Sequence, residues 1–450
     1  MRLLNRTWVN RSWVNRPGGR QSTRATVSLF LVFVVFVGVL ASVAEADARA
    51  AANQDSAGAF STRHYRNLFA ELGHSKKAIS AKIDAAYQQL FHGDPETESV
   101  VFSAGTNAQG PLAYLTDWNH HDVRTEGMSY GMMISVELNQ KAEFDALWNW
   151  AKTYMYIGDP HHPSYGYFSW SCKPDGTPNE ETAAPDGEEY FVMSLYFAAA
   201  RWGSGAGIYN YKAQADQLLT TMRHREAMTG PTRFGMRSVG NEVDEERKMI
   251  RFVPVVNRGD FTDPSYHLPA FYELWARWGP PADREFWAEA AEASRAFFGK
   301  TTNPETGLAP AYANYDGTPH STRFSQSTVF GYDSWRTASN WSVDWSWWRK
   351  APQEPVLSDR IQRFFRAQGF STYGDVYTLA GKELSSRHST GLLATNAVAS
   401  LAATQATAKD FVQALWDAPV PSGQLRYYDG MLYLLSLLHC SGQFRIWTPR

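Results

Sequence analysis

Glu126 stands where a polar segment gives way to an apolar helical pattern. Residues 116–121 are polar and aromatic, whereas Met128 and Met132 recur at helical spacing, which predicts a buried helix that begins close to Glu126. Gly127 is a poor helix former, so we expect another group to approach the backbone closely there. A glutamate in a first helical turn is commonly a capping or dipole partner. The same side chain can also donate a proton in general acid catalysis.

Three other segments share this arrangement, in which a polar turn that contains an aspartate precedes an aromatic-rich helical pattern. They are residues 184–191, 263–272 and 331–336. Arg336 follows Asp333 by one helical turn and can bind a carboxylate or sugar hydroxyl groups. For Asp186 and Arg336 taken alone, a structural ion pair explains the residues equally well. Hydrolysis of a glycosidic bond needs an acid for the leaving oxygen and a carboxylate that acts on the sugar directly or through water.

The order and the amino-acid sequences of these segments resemble those of glycoside hydrolase family 8, and the resemblance extends from about Asn67 to Trp447. The matching stretches are residues 122–134, 184–191, 263–272, 331–336 and 388–391. The resemblance implies an all-α fold, an (α/α)6 barrel or toroid of six helix pairs with a few short strands in its loops. In such a fold the inner-helix ends line a cleft at one face, where we expect the motif turns to meet.

The resemblance also assigns roles within an inverting hydrolase. Glu126 resembles the general acid and Asp333 the general base, with their carboxyl groups about 6.5–9.5 Å apart. Tyr266 matches the tyrosine that helps to hold the attacking water. Asp186 matches the carboxylate that binds the sugar on the glycone side of the bond, and Arg336 is a further substrate contact.

The chain is rich in aromatic residues, which make up 14% and include 17 Trp and 22 Tyr. Trp and Tyr combine a flat apolar face with a hydrogen-bonding edge, which suits pyranose sugars. Most of these rings fill the core of a helical protein. We predict sugar contacts from those in Gly-, Pro- and Asp-rich turns, namely Trp170, Tyr332, Trp335, Tyr427 and Tyr428.

Within the family, an acidic residue at position 333 is typical of the branch that holds xylanases, cellulases and reducing-end exo-oligoxylanases. The sequences of the motifs resemble those of the reducing-end exo-oligoxylanases. His388 matches a loop histidine that closes the cleft in such enzymes. The sequence therefore predicts release of xylose from the reducing end of xylo-oligosaccharides. The alternatives are an endo-acting xylanase or cellulase, a non-catalytic carbohydrate-binding toroid and a polysaccharide lyase.

Metal and nucleic-acid binding are poorly supported. The pairs His120-His121 and His161-His162 are adjacent in sequence, so their side chains point in different directions, and no HExxH pattern occurs. We therefore expect no metal and no cofactor. The net charge of -2 and the lack of a basic stripe after the N-terminal segment argue against a nucleic-acid partner.

The N-terminal segment has the layout of an export signal. Residues 1–24 are Arg-rich without Asp or Glu, residues 27–40 are almost continuously apolar, and Ala44-Glu-Ala46 gives a small-x-small cleavage pattern. We predict a signal over 1–46, a flexible segment over 47–66, a single catalytic domain over 67–450, and a secreted or periplasmic protein. An uncleaved membrane anchor is the alternative. Cys172 and Cys440 are expected to be buried thiols, with a disulfide as the alternative.

Helical periodicity dominates the remaining chain. It predicts helices over residues 77–91, 128–138, 143–156, 188–202, 211–222, 269–278, 284–298, 334–349, 356–367, 392–403, 408–416 and 430–438. The clearest strand pattern covers residues 249–254. Consecutive helix pairs joined by Gly, Pro and Asp turns indicate a large all-α toroid or solenoid.

Overall fold

Helices are the dominant secondary structure of the described residues, and each of the predicted helices is present. The computed structural model describes residues 57–323 and 326–449. Its α-helices in this range are α1 (Ala59–Thr62), α2 (Leu68–Glu71), α3 (Lys76–His92), α4 (Thr125–Glu137), α5 (Lys141–Trp150), α6 (Pro185–Trp202), α7 (Tyr211–His224), α8 (Pro269–Trp278), α9 (Arg284–Thr301), α10 (Trp335–Trp348), α11 (Gln353–Ala367), α12 (Thr390–Val398), α13 (Ala408–Asp417) and α14 (Arg426–Cys440).

The long helices of the described chain form two concentric layers. The inner helices α4, α6, α8, α10, α12 and α14 pack respectively on the outer helices α5, α7, α9, α11, α13 and α3. Neighbouring inner helices also contact one another, from α8 through α10, α12 and α14 to α4 and α6. The Tyr272 hydroxyl of α8 donates a 2.5 Å hydrogen bond to Glu189 of α6, which joins the last pair. The predicted toroid of six helix pairs is therefore confirmed.

The two layers differ in their burial patterns. In α3, burial recurs at Ile79, Ile83, Ala86 and Leu90, the single apolar stripe of an outer helix. In α4, all residues from Gly127 to Glu137 are buried, because this helix is covered on every side. The middle of α4 is therefore shielded from solvent, and the cleft lies at the end of this helix.

Short strands occur in the loops, as expected. They pair as β1 (Val101–Asn107) with β2 (Gly110–Leu115), β3 (Val123–Arg124) with β4 (Ser171–Cys172), β5 (Met228–Thr232) with β6 (Gly235–Val239), β7 (Val243–Asp244) with β8 (Met249–Ile250), and β9 (Val376–Tyr377) with β10 (Glu383–Ser385), all antiparallel. The strand predicted over 249–254 is thus reduced to β8. It ends there because the Phe252 amide bonds to the Phe261 carbonyl instead of extending the ladder.

The compact unit begins at Ala57, upstream of residue 67, where we placed the start of the domain. Phe60 of α1 stacks on Trp348 with ring centroids 4.4 Å apart, which attaches this segment to the end of α10. The predicted export signal or anchor lies outside the described residues. Within the described residues, no helix combines the length and the apolar character needed to span a bilayer. Cys172 and Cys440 are buried and unpaired, as expected.

A buried ion cluster links α8, α9 and α10. Arg295 donates to both oxygens of Asp344 at 2.7 and 2.8 Å and to Glu273 at 2.8 Å. Because removal of one partner leaves buried charges unpaired, Arg295→Met is expected to lower the free energy of unfolding by about 3–5 kcal/mol, measured by urea denaturation. Arg363→Met, on the exposed face of α11, is the control and should change it by less than about 0.5 kcal/mol. Equal effects in both variants would contradict this interpretation.

Candidate active site

All six inner helices of the described chain begin at the same face of the toroid. The predicted site residues lie in their first turns or directly before them: Glu126 in α4, Asp186 in α6, Tyr266 before α8, Asp333 and Arg336 at the start of α10, His388 before α12, and Tyr427 in α14. Residues that are far apart in sequence are therefore brought together by the shared direction of the inner helices.

Arg336 lies at the centre of this arrangement. Its Nη1 group donates to Glu126 at 3.0 Å, to Asp186 at 2.8 Å and to the Tyr130 hydroxyl at 2.6 Å. Its Nη2 group donates to Asp333 at 3.2 Å and to the Ser265 hydroxyl at 2.9 Å. One buried guanidinium thus contacts all three carboxylates that the sequence singled out.

Glycines allow close contacts beside Glu126. A side chain at Gly127 would lie 2.6 Å from the Tyr427 ring, so this ring is the group that approaches the backbone there. The Tyr427 hydroxyl donates a 2.8 Å hydrogen bond to Glu126 Oε1. A side chain at Gly187 would lie 2.3 Å from Thr125 Oγ1, so glycine lets the first turns of α4 and α6 touch. Glu126 and Asp186 are adjacent for this reason.

Electrostatics favours a proton on Glu126. Burial raises the pKa of its carboxyl to about 7, and the negative charges of Asp186 and Asp333 add to this shift while Arg336 and Arg124 oppose it. Burial also raises the pKa of Asp186, against the opposing charge of Arg336. The Asp333 side chain is 37% exposed and therefore meets solvent in the cleft. The site holds a largely buried acid, whose side chain is 13% exposed, and a more solvent-accessible carboxylate beside it.

Two cavities meet at these carboxylates and form one cleft. The larger, of about 740 Å³, we name the Asp186-side cavity; Trp170, Asp186, Phe252 and Tyr266 line it. The other, of about 520 Å³, we name the Tyr428-side cavity; Tyr332, Tyr427 and Tyr428 line it. Both are lined by Arg124, Glu126, Tyr312 and Asp333. A chain of sugars can thus pass Glu126 and Asp333 with units on either side.

Most predicted sugar-contact residues line this cleft. Pairing of β3 with β4 places Trp170 beside Glu126, because the Thr125 amide bonds to the Trp170 carbonyl. Tyr332 is 44% exposed. Trp335 instead is buried beneath Tyr332, with ring centroids 5.2 Å apart, and its indole nitrogen donates to the Asp375 carbonyl. Trp335 therefore supports Tyr332 and does not face the cleft.

His388 lies outside both cavities. Its Nδ1 is 2.8 Å from the Tyr373 carbonyl oxygen, and its ring packs edge-on against the Tyr373 ring at 4.6 Å. These contacts hold the imidazole against the segment before β9. The structure thus does not bring His388 into the cleft that it was expected to close.

Four residues of the site were not singled out from the sequence. Arg124 pairs with Asp117 at 3.2 Å, and Tyr130 contacts Arg336. Tyr130 lies one turn after Glu126 on α4, so helical spacing was a usable signal for it, whereas Arg124 lies on β3 before the helix begins. Asp117 and Tyr312 line the cleft from irregular loops, where no periodic pattern marks them.

The paired histidines have other partners. His120 Nδ1 lies 2.7 Å from Asp117, and His162 Nε2 lies 3.3 Å from Glu181. In the ranges 57–323 and 326–449, no group of three or more His, Cys, Asp or Glu side chains is arranged to hold a metal ion.

Curated relatives match nearly the whole domain. The reducing-end xylose-releasing exo-oligoxylanase of Paenibacillus barcinonensis is 42% identical over 394 residues, which cover 87% of this chain and 98% of that protein. The enzyme of the same name from Halalkalibacterium halodurans is 44% identical over 397 residues, with 87% and 97% covered.

A solved structure of a related protein also matches most of this chain. The xylohexaose complex of a catalytic mutant of a xylanase from Teredinibacter turnerae superposes with a TM-score of 0.86 at 51% identity, covering 87% of this chain and 100% of that one. The family model described as glycosyl hydrolases family 8 matches residues 114–442. The chain therefore belongs to glycoside hydrolase family 8 and is a glycoside hydrolase with the (α/α)6 fold.

Proposed function

We propose that this enzyme hydrolyses β-1,4-linked xylo-oligosaccharides with inversion of the anomeric centre. The observation that carries the proposal is the contact of Arg336 with Glu126, Asp186 and Asp333 at the junction of two cavities. This arrangement supplies the two carboxyl groups that glycosidic cleavage requires, together with a third group to bind the sugar. The relatives named exo-oligoxylanases support a xylose-based substrate.

Glu126 acts as the general acid in this proposal. Burial raises the pKa of its carboxyl to about 7, so about half of the enzyme molecules carry this proton at pH 7. The protonated form gives it to the glycosidic oxygen as the bond breaks. Tyr427 and Arg336 then stabilise the carboxylate that forms, since each donates a hydrogen bond to one of its two oxygens.

Asp333 acts as the general base and removes a proton from the attacking water. Its half-buried carboxylate faces the cleft, and the bond to Arg336 fixes one of its oxygens. Tyr266 lines the same cavity and orients the water. Asp186 binds the sugar whose anomeric carbon is attacked, so the Asp186-side cavity holds the glycone and the Tyr428-side cavity holds the leaving sugar.

We further propose that the leaving unit is a single xylose at the reducing end. Three relatives that are 38–44% identical to this chain carry this activity in their names. Xylotriose labelled at its reducing end is therefore expected to give labelled xylose and unlabelled xylobiose, with slow cleavage of polymeric xylan. Mass spectrometry of the first products measures the pattern.

Endo-xylanase action is the second candidate, and the position of His388 favours it. The imidazole Nδ1 lies 2.8 Å from the Tyr373 carbonyl oxygen, and His388 is not among the residues that line the Tyr428-side cavity. The xylanase relative from Teredinibacter turnerae points in the same direction. Early products of mixed length from xylan, with little free xylose, would support this candidate and contradict the exo proposal.

The rate should fall in alkaline solution. Glu126 must be protonated to act, and its pKa is raised to about 7, so kcat/KM is expected to decline as the pH rises through about 7. Asp186→Asn removes a charge that raises the pKa of Glu126. In this variant the fall of kcat/KM on the alkaline side should therefore occur at lower pH than in the wild type. Asp417 is exposed at the end of α13, so the control variant Asp417→Asn should leave the pH dependence of kcat/KM unchanged. An unchanged pH dependence in Asp186→Asn would contradict the assignment of Glu126.

A further inference from the structure

The outer part of the Asp186-side cavity is positively charged. Arg237, Arg258 and Arg323 line it, and Glu180 is the acidic residue that joins them there. Glu126, Asp186 and Asp333 line the inner part, where Arg336 and Arg124 offset their charge. Arg258 is exposed whereas Asp186 is buried, so the arginines line the part of this cavity that opens to solvent.

The three arginines come from three separate segments that line the cavity. Arg237 lies on β6, and its guanidinium is 3.7 Å from Glu180, a distance longer than a good hydrogen bond. Arg258 lies in the loop between β8 and α8 and is exposed. Its guanidinium forms no hydrogen bond or ion pair with any of the described residues. At least one guanidinium at this end thus has its donors directed to solvent.

Unbranched xylose chains give these groups no charged partner. A guanidinium presents a planar set of donors that matches a carboxylate, and such bonds are stronger than those to neutral hydroxyls. Phe252, Val253 and Val255 line the same part of the cavity. This apolar surface reduces local hydration, which strengthens attraction between opposite charges.

We propose that this end of the cleft, built by Arg237 and Arg258, binds the carboxylate of a uronic acid branch on the glycone part of the xylan chain. The inference rests on the proposed function, because it takes the Asp186-side cavity as the glycone side. The enzyme then favours acidic xylo-oligosaccharides over neutral ones of the same backbone length.

The test compares two substrates in the same enzyme. One is a neutral xylo-oligosaccharide, and the other has the same backbone with a single glucuronic acid branch on a glycone sugar. The double variant Arg237→Gln/Arg258→Gln is expected to lower the acidic-to-neutral ratio of kcat/KM about tenfold, as suits partly exposed charge-assisted bonds. The preference of the wild type should also weaken at high salt, since exposed charges are screened.

Two controls make the outcome specific. Arg363→Gln, on the exposed face of α11, removes one positive charge, as Arg258→Gln does, and should leave the ratio unchanged. The single variant Arg258→Gln alters one exposed side chain and should lower the ratio about threefold, which keeps the test valid if the double variant folds poorly. Cleavage of the neutral substrate with an unchanged ratio in both variants overturns this inference. Absence of cleavage of the neutral substrate by the wild type overturns the proposed function instead.

Discussion

Glu126→Gln is expected to lower kcat on xylo-oligosaccharides by about 10³- to 10⁴-fold. The amide has the size of the carboxylic acid but cannot give a proton to the leaving oxygen, so the step that depends on that proton loses its catalyst. The amide oxygen can accept from Arg336 while the amide NH2 donates to the Tyr427 hydroxyl oxygen, so the first turn of α4 should keep its packing. Steady-state kinetics and the urea midpoint measure the two effects separately.

The dependence on the leaving group is the sharper readout for this variant. An aryl xylobioside with an acidic phenol needs little protonation to leave, so the variant should lose far less activity on it than on xylotriose. Equal losses on both substrates would show that Glu126 serves the structure or binds substrate, and does not act as the acid.

Asp333→Asn should cause a second large loss, of about 10³-fold or more, on both kinds of substrate. Here the leaving group does not matter, because the missing function is removal of a proton from water. Azide needs no deprotonation, so it should partly restore the rate and give a glycosyl azide of inverted configuration. A variant that keeps near wild-type activity without azide would contradict the role of Asp333 as the base.

The helical framework could be predicted because each helix carries its own apolar period. The boundaries of α8 match the prediction of residues 269–278 for this reason. Close packing was also readable at Gly127, where the lack of a side chain indicated that another group approaches. That group, Tyr427, lies 301 residues from Glu126 in sequence, so its identity follows only from closure of the toroid.

Side-chain directions in the loops could not be predicted. His388 precedes α12 as expected, yet its ring turns to a backbone carbonyl, a contact that no sequence pattern encodes. Trp335 likewise lies beside Asp333 in sequence but points into the core. For Arg336, ion pairing and function were equal alternatives from the sequence. In the structure the two are the same, because its partners are the proposed catalytic carboxylates.

The central claim is that Glu126 and Asp333 act as an acid and a base on opposite sides of the bond, with water as the nucleophile. Proton NMR of a β-1,4-linked xylo-oligosaccharide during the first minutes of hydrolysis tests it most directly. The newly formed reducing end should appear as the α-anomer and only later equilibrate with the β-anomer. Initial formation of the β-anomer would contradict the claim, since retention requires a nucleophilic carboxylate only about 5–5.5 Å from the acid.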